Sequence, residues 1–276
     1  MNKIIRQRIA EEITTEIDNI NVIIMDESFN MQFDKLYFAY VLLQRYQREV
    51  SRLILQEKVT ELKERFRVIL NKTIEGLKNE KSKKSSRTIF EQSQLIFNYL
   101  GLCYIHGLKS GIWNCSLTTQ ERRLIENAFG YFSLFDYMVL FWIKKMKIVI
   151  DIKDKIVEPL NKVEETYLYT HFFLTETDYF NKESKENNIE DLIKNVDFVI
   201  KEDLGDLVAE LYWSLLYYHF KDDKIIPILR NYLKDKFISV ESFEFSNYSE
   251  REKRHCKYSF ICAFLEEMKQ REIRYE

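Results

Sequence analysis

Residues 34–77 read DKLYFAYVLLQRYQREVSRLILQEKVTELKERFRVILNKTIEGL, with no Gly or Pro before Gly76. Those two residue types break helices most strongly, Gly through backbone entropy and Pro through its missing N–H and ring clash. The second half of the stretch carries a stripe at Leu55, Val59, Leu62, Phe66, Ile69 or Leu70, Thr73 or Ile74, and Leu77. That is the three-and-four spacing of one helical face. The stripe of the first half (Leu36, Tyr40, Leu43, Val50, Ile54) drifts by one residue near Leu53–Leu55. The pattern predicts one very long helix near residues 34–77. Its near-heptad spacing calls for a partner along its length, either an antiparallel neighbour or the seam of a homodimer.

The same scarcity of breakers extends over the whole chain, which has six Gly and two Pro in 276 residues. An ordinary domain carries about 7% Gly and 5% Pro. The expected fold is therefore all-α, a multi-helix bundle of about eight or nine helices by the spacing of apolar residues. Ile5, Ile9, Ile13, Ile17, Ile20 and Ile24 mark the first helix. Further helices are expected near 86–108, 119–150, 153–174, 189–201, 202–220, 224–237 and 249–273. Thr118 and Glu121 have capping-box spacing. The helices at 119–150 and 202–220 are apolar on nearly every side, so both belong in the interior. Residues 175–188 read as a polar, mobile loop, and 238–248 as a short extended segment. The apolar-free run Asn79–Ser86 separates an arm (1–78) from a bundle (86–276), the two forming one continuous unit.

Composition narrows the function. Charged residues make up 31% but nearly cancel, to a formal net charge of −2. Such a chain has no global field to attract nucleic acid. A local cluster, Lys78, Lys81, Lys83, Lys84 and Arg87, is the one place for weak phosphate contact. The most apolar run, Leu134–Ile143, is shorter than a membrane span and contains Asp136. The N-terminus lacks the apolar core of a secretory signal. Four scattered cysteines (Cys103, Cys115, Cys256, Cys262) do not make a disulfide framework for a chain of this size. The expectation is a soluble, reduced, cytoplasmic protein that is not associated with membranes.

Glycine-dependent chemistry, such as phosphate loops and nucleophile elbows, has almost nowhere to sit. Four polar residues intrude on apolar helices: His106, Asp136, Glu210 and His219. If their helices pack together they form a pocket for acid–base or metal chemistry. Cys103, His106 and Cys115 form Cys-x2-His-x8-Cys, an incomplete zinc pattern because no second pair completes four ligands. No cofactor is expected from these motifs.

Three helical enzyme classes can be compared with these residues. Ferritin-like carboxylate proteins carry two Glu-x-x-His motifs, and this chain matches one, Glu252-x-x-His255. Isoprenoid synthases are similar in size and helix content, but Asp222-Asp223-Lys224 lacks the third carboxylate of their metal motif. HEPN-type ribonucleases place a His four to six residues after an Arg. Arg251 and His255 fit the shortest spacing, with an atypical Glu252 between them. None of these likenesses identifies a family.

Aromatic residues reach 14%, and tyrosine favours interfaces because it joins contact area to low entropy cost. Tyr167, Tyr169, Tyr179, Phe180, Phe243, Phe245 and Tyr248 are the candidates for a contact surface. The leading expectation is a non-enzymatic module acting through a protein partner. Phage- or plasmid-encoded inhibitors, immunity proteins and bacterial defence accessories are proteins of that kind. The alternative is a helical-core enzyme or metalloprotein using His106, Asp136, Glu210 and His219.

Overall fold

The computed structural model describes residues 3–20, 29–82, 88–113, 115–128, 133–150, 161–184, 188–239 and 250–273. Among these the regular structure is entirely α-helical, without a strand: α1 (Lys3–Asn19), α2 (Phe29–Gln44), α3 (Gln47–Ser51), α4 (Gln56–Ser82), α5 (Ile89–Ser110), α6 (Thr119–Ala128), α7 (Ser133–Met146), α8 (Lys162–Glu176), α9 (Ile189–Ile193), α10 (Val196–Lys201), α11 (Gly205–Tyr217), α12 (Ile225–Ser239) and α13 (Glu250–Ile273). The all-α expectation holds, with more helices than the eight or nine expected, because several predicted rods divide. Of the segment 238–248, expected to be extended, residues 238 and 239 are corrected to the last turn of α12, and 240–248 lie outside the described residues. No helix is long and apolar enough to cross a membrane among the described residues.

Packing groups the chain into two compact units of non-contiguous segments. One comprises Met1–Ile17, Val41–Glu61 and Glu165–Glu276, the other Asp18–Tyr40 and Leu62–Glu164. Residues 1–78 therefore contribute to both.

In the first unit α11 is enclosed along its whole length, with every residue from Gly205 to Tyr217 buried. Helices α9, α10, α12 and α13 pack on it. The N-terminal stripe behaves as its spacing predicts, with Ile5, Ile9, Ile13 and Ile17 buried. Beside them the buried carboxylate of Glu16 accepts from Lys257 Nζ at 2.6 Å and from the Tyr258 hydroxyl at 2.6 Å.

The single helix expected over 34–77 is corrected to three, α2, α3 and α4, and the first break has a clear cause. Arg45 places Nε and a terminal nitrogen on the two oxygens of Glu266, each at 2.8 Å, and the adjacent Tyr46 donates its hydroxyl to the same carboxylate at 2.8 Å. Successive residues of a continuous helix point about 100° apart. The two cannot both reach one carboxylate unless the helix stops between them, and Tyr46 sits at φ −117°, ψ 19°. Trp213 Nε1 donates to the Tyr46 hydroxyl at 2.5 Å, and the Arg45 guanidinium lies 4.3 Å from the centre of the Tyr217 ring. The second break, at Arg52–Leu55, falls where the two apolar stripes drift apart, and Leu55 is 72% exposed.

The segment 175–188, read from its polarity as mobile, is packed over residues 175–180 and exposed at 181–183. Asp178, Tyr179 and Phe180 occupy left-handed backbone (φ 48°, 56° and 69°), a region that non-glycine residues seldom enter. Burial of Tyr179 and contact of Phe180 with the rings of Phe173, Trp213 and Tyr217 hold them there.

The second unit is built around α5. A capping box starts it: the Thr88 hydroxyl accepts from the Glu91 N–H at 3.2 Å while the Glu91 carboxylate accepts from the Thr88 N–H at 2.7 Å. Gly111 ends it at φ +71°. Gly101 permits a close approach, since a Cβ there would lie 2.6 Å from the Phe33 ring and 2.8 Å from Trp142. The predicted box at Thr118 and Glu121 forms, with reciprocal bonds of 2.7 and 3.2 Å.

Removing a buried ion-pair partner strands the charge that remains. Glu266→Ala is therefore expected to destabilise the fold by about 3–5 kcal/mol, read as the shift in urea unfolding free energy. A loss below about 1 kcal/mol, the level of an exposed pair, contradicts the role given to this carboxylate.

Candidate metal centre

Asp206, Glu210 and Ser214 stand four residues apart on α11 and so share one face. That face meets α8. Tyr167 donates its hydroxyl to Asp206, Thr170 donates to Glu210 at 2.6 Å, and Ser214 donates to the Thr170 carbonyl at 3.2 Å. The arrangement follows from enclosure, because a polar group on a buried helix needs a partner from a neighbour.

Two imidazoles complete the surroundings of Glu210. His171, one residue beyond Thr170 on α8, places Nδ1 3.4 Å from Glu210 Oε2, and His255 on α13 places Nε2 3.2 Å from Oε1. Their side chains are 17% and 37% exposed against 4% for the glutamate. The carboxyl is thus the deepest of the three groups and His255 the most exposed. The three groups can each offer one ligand atom, and these atoms all lie within 4.8 Å of one another.

Protonation follows from the neighbours. His171 Nδ1 also lies 2.8 Å from the Tyr167 carbonyl. A carbonyl only accepts, so Nδ1 carries the proton in the metal-free protein. Burial holds the His171 ring below its usual pKa, against the opposing pull of Glu210, which keeps the imidazole neutral. Burial, with the charge of Glu210 adding to it, pushes Asp206 up to about 6. Cys256, next to His255, has its thiol pushed well up by burial and by Asp206 and Glu210. It remains a protonated thiol and is not a donor in this state.

This donor set suits a transition-metal ion. Neutral imidazole and carboxylate are zinc ligands with bonds of about 2.0–2.2 Å, which in tetrahedral array puts donor atoms roughly 3.3–3.6 Å apart. The two ring nitrogens lie 3.4 and 3.2 Å from opposite oxygens of Glu210, and one ligand atom from each residue lies within 4.8 Å of the others, so the group must close somewhat to reach that spacing around an ion. Uptake through Nδ1 would shift the His171 proton to Nε2, a change of tautomer with no change of charge.

The candidates read from the sequence are distributed differently. Glu210 belongs to the centre. His219 lies beyond the end of α11, exposed and at φ 57°, so its expected place in the core is corrected. His106 is half-buried on α5 with Ser110 Oγ 3.4 Å from its ring, and Asp136 lies on α7 with its side chain outside those described. Both belong to the other unit. Cys103 and Cys115 come together, but no three-donor group other than His171, Glu210 and His255 occurs among the described residues. Of the surface aromatics, Tyr167 bonds Asp206, Tyr169 bonds Glu165 at 3.0 Å, and Tyr179 is buried. Phe243, Phe245 and Tyr248 lie outside the described residues. His255 was visible in the sequence as half of a Glu-x-x-His match and as the His of a short Arg251–His255 spacing, neither of which joined it to Glu210. His171 carried no signal beyond its place among buried aromatic and threonine neighbours.

No protein-family model, no curated protein and no solved structure matches this chain.

Asp206 provides a test of the electrostatics. Its folded pKa lies above the unfolded value, so its contribution to stability is full below about pH 4 and is lost as pH rises through about 6. His171 acts in the opposite sense, its burial costing stability as pH falls below about 6.5. Asp206→Asn removes the first effect and leaves the second. In metal-free protein the variant is expected to gain on the order of 2 kcal/mol on wild type between pH 4 and 8, measured as urea unfolding free energies. Parallel curves across that interval contradict the burial-driven shift.

Proposed function

We propose that this chain is a helical metalloprotein in which His171, Glu210 and His255 bind one divalent transition-metal ion, with zinc the ion best suited to the donors. The observation that carries this reading is the convergence of three donor groups from α8, α11 and α13 within 4.8 Å. Two imidazoles and a carboxylate make up the ligand chemistry of open zinc sites, which leave a fourth position for water. An ion held in this way lowers the pKa of its bound water toward neutrality, so water activation is the chemistry that the centre supports. Thr170 fixes one Glu210 oxygen, the kind of outer-shell contact that a ligating carboxylate needs, while the bond from His171 Nδ1 to the Tyr167 carbonyl would be given up on uptake through that nitrogen.

Action through a protein partner has less support. It drew on surface aromatics, and Tyr179 and Phe180 are engaged in the core of the first unit. It also drew on an unbroken 34–77 helix as a dimer seam, and that helix is divided. Phosphate contact through the basic cluster fares similarly. The Lys81 side chain is 6% exposed and paired with Glu121 at 3.0 Å, while Lys83, Lys84 and Arg87 lie outside the described residues.

Full-length protein stripped with a chelator is expected to take up one zinc ion per chain in calorimetric titration, and cobalt is expected to give the visible bands of a low-coordinate site. Glu210→Gln and His255→Ala are each expected to weaken zinc binding by more than about 100-fold, beyond the effect of losing an outer-shell partner. Circular dichroism checks that the variants fold; His255 is the more exposed of the two and its loss the milder for the core. Absence of stoichiometric uptake by the folded wild type overturns the proposal, as does uptake unchanged in both variants.

A further inference from the structure

The second unit carries a pair of cysteines with different surroundings. Cys103 stands on α5 and is 2% exposed, while Cys115, in the segment between α5 and α6, is half-buried. The two thiols are near enough for each to act on the ionisation of the other. The segment bearing Cys115 is held in place. The Ser116 N–H donates to the Tyr99 hydroxyl at 3.4 Å, and Lys81 Nζ donates to the Ser116 carbonyl at 2.9 Å. Lys81 also lies 4.4 Å from the centre of the Tyr99 ring and pairs with Glu121. An ammonium group enclosed at 6% exposure thus stands beside the more accessible of two neighbouring thiols.

We propose that Cys103 and Cys115 are a reversible thiol–disulfide pair, oxidised by peroxides, with Cys115 as the attacking sulfur and Cys103 as the resolving one. The neighbouring Cys103 thiol, with Lys81 and Tyr99 also favouring the thiolate, draws Cys115 down against the effect of burial. Cys115 and burial push Cys103 up. Exposure assigns the roles, since half-buried Cys115 is open to a peroxide whereas Cys103 is 2% exposed. The Glu121 carboxylate works against the thiolate, and its ion pair with Lys81 offsets part of that opposition.

In the first step the Cys115 thiolate attacks one peroxide oxygen. The S–O bond forms as O–O breaks, and the departing oxygen takes a proton and leaves as alcohol or water. In the second step the Cys103 sulfur attacks the Cys115 sulfenic acid. The S–S bond forms, S–O breaks, and the hydroxyl leaves with the Cys103 proton as water. Two thiols lose two electrons and one peroxide gains them, in the order expected of a sulfenic acid beside a second thiol. This pair is independent of the metal centre and uses none of its residues.

The test uses full-length, chelator-stripped protein and hydrogen peroxide, followed by alkylation under denaturing conditions and peptide mass spectrometry. The expected product is an intramolecular Cys103–Cys115 disulfide, reversed by dithiothreitol, with Cys256 and Cys262 still alkylated. In native protein at pH 7, Cys115 is expected to react with iodoacetamide at least about tenfold faster than Cys103. Cys103→Ser is expected to leave a dimedone-reactive sulfenic acid on Cys115, and Cys115→Ser to leave Cys103 unreactive. Equal oxidation of all four cysteines, or no linkage of Cys103 to Cys115 in folded wild type, overturns the proposal.

Discussion

A helix enclosed on every side can carry a carboxylate only where neighbours supply donors, and α11 carries two, Asp206 and Glu210. In the interior an unpartnered carboxylate costs several kcal/mol, comparable with the whole stability of a domain. Much of the first unit is arranged around that requirement. Tyr167 and Thr170 of α8 reach the α11 carboxyls. Along α13 the same rule recurs: Glu266 is met by Arg45 and Tyr46, and Glu267 by Tyr212 at 3.1 Å and Arg230 at 2.7 Å. Apolar burial would tolerate many rotations of these helices about their axes. The placed donors select one.

The same rule explains where helices stop. Arg45 and Tyr46 are good enough helix residues that local propensity gives no reason to break between them. Their shared partner does, because two consecutive side chains diverge on a helix and converge here on Glu266. Tyr179 and Phe180 show the converse. Their segment is polar in composition and would pass for a solvated loop, yet two aromatic rings pull its backbone inward and into left-handed conformation. In both places a long-range contact overrides local preference.

The candidate centre was legible in part. Glu210 stands out in the sequence because a carboxyl between Leu207 and Trp213 interrupts an apolar helix. His255 registers only through two common spacings, Glu252-x-x-His255 and Arg251–His255. His171 is silent, since a single histidine beside Phe172 and Phe173 resembles any core histidine. Grouping Glu210 with His106, Asp136 and His219 followed apolar periodicity alone. Periodicity carried past the end of α11 turned His219 inward, whereas the helix ends at Tyr217 and leaves it exposed. The Cys103 and Cys115 pairing was visible as a spacing. The contact of Lys81 with Ser116 and Glu121, which gives Cys115 its distinctive surroundings, was not.

The sequence by itself determined that the chain is helical, which stripes are buried and where two capping residues, Thr118 and Glu121, start a helix. These are consequences of a 3.6-residue repeat and of bonds spanning one turn, so they are written within a few neighbouring positions. Only the tertiary structure decided that positions 171, 210 and 255 meet, that Glu266 divides the long helix, and that two cysteines on either side of a helix end come together. Each of these depends on how far one helix is rotated and shifted against another. That geometry is set by the simultaneous pairing of buried polar groups from distant parts of the chain, and no local pattern encodes it.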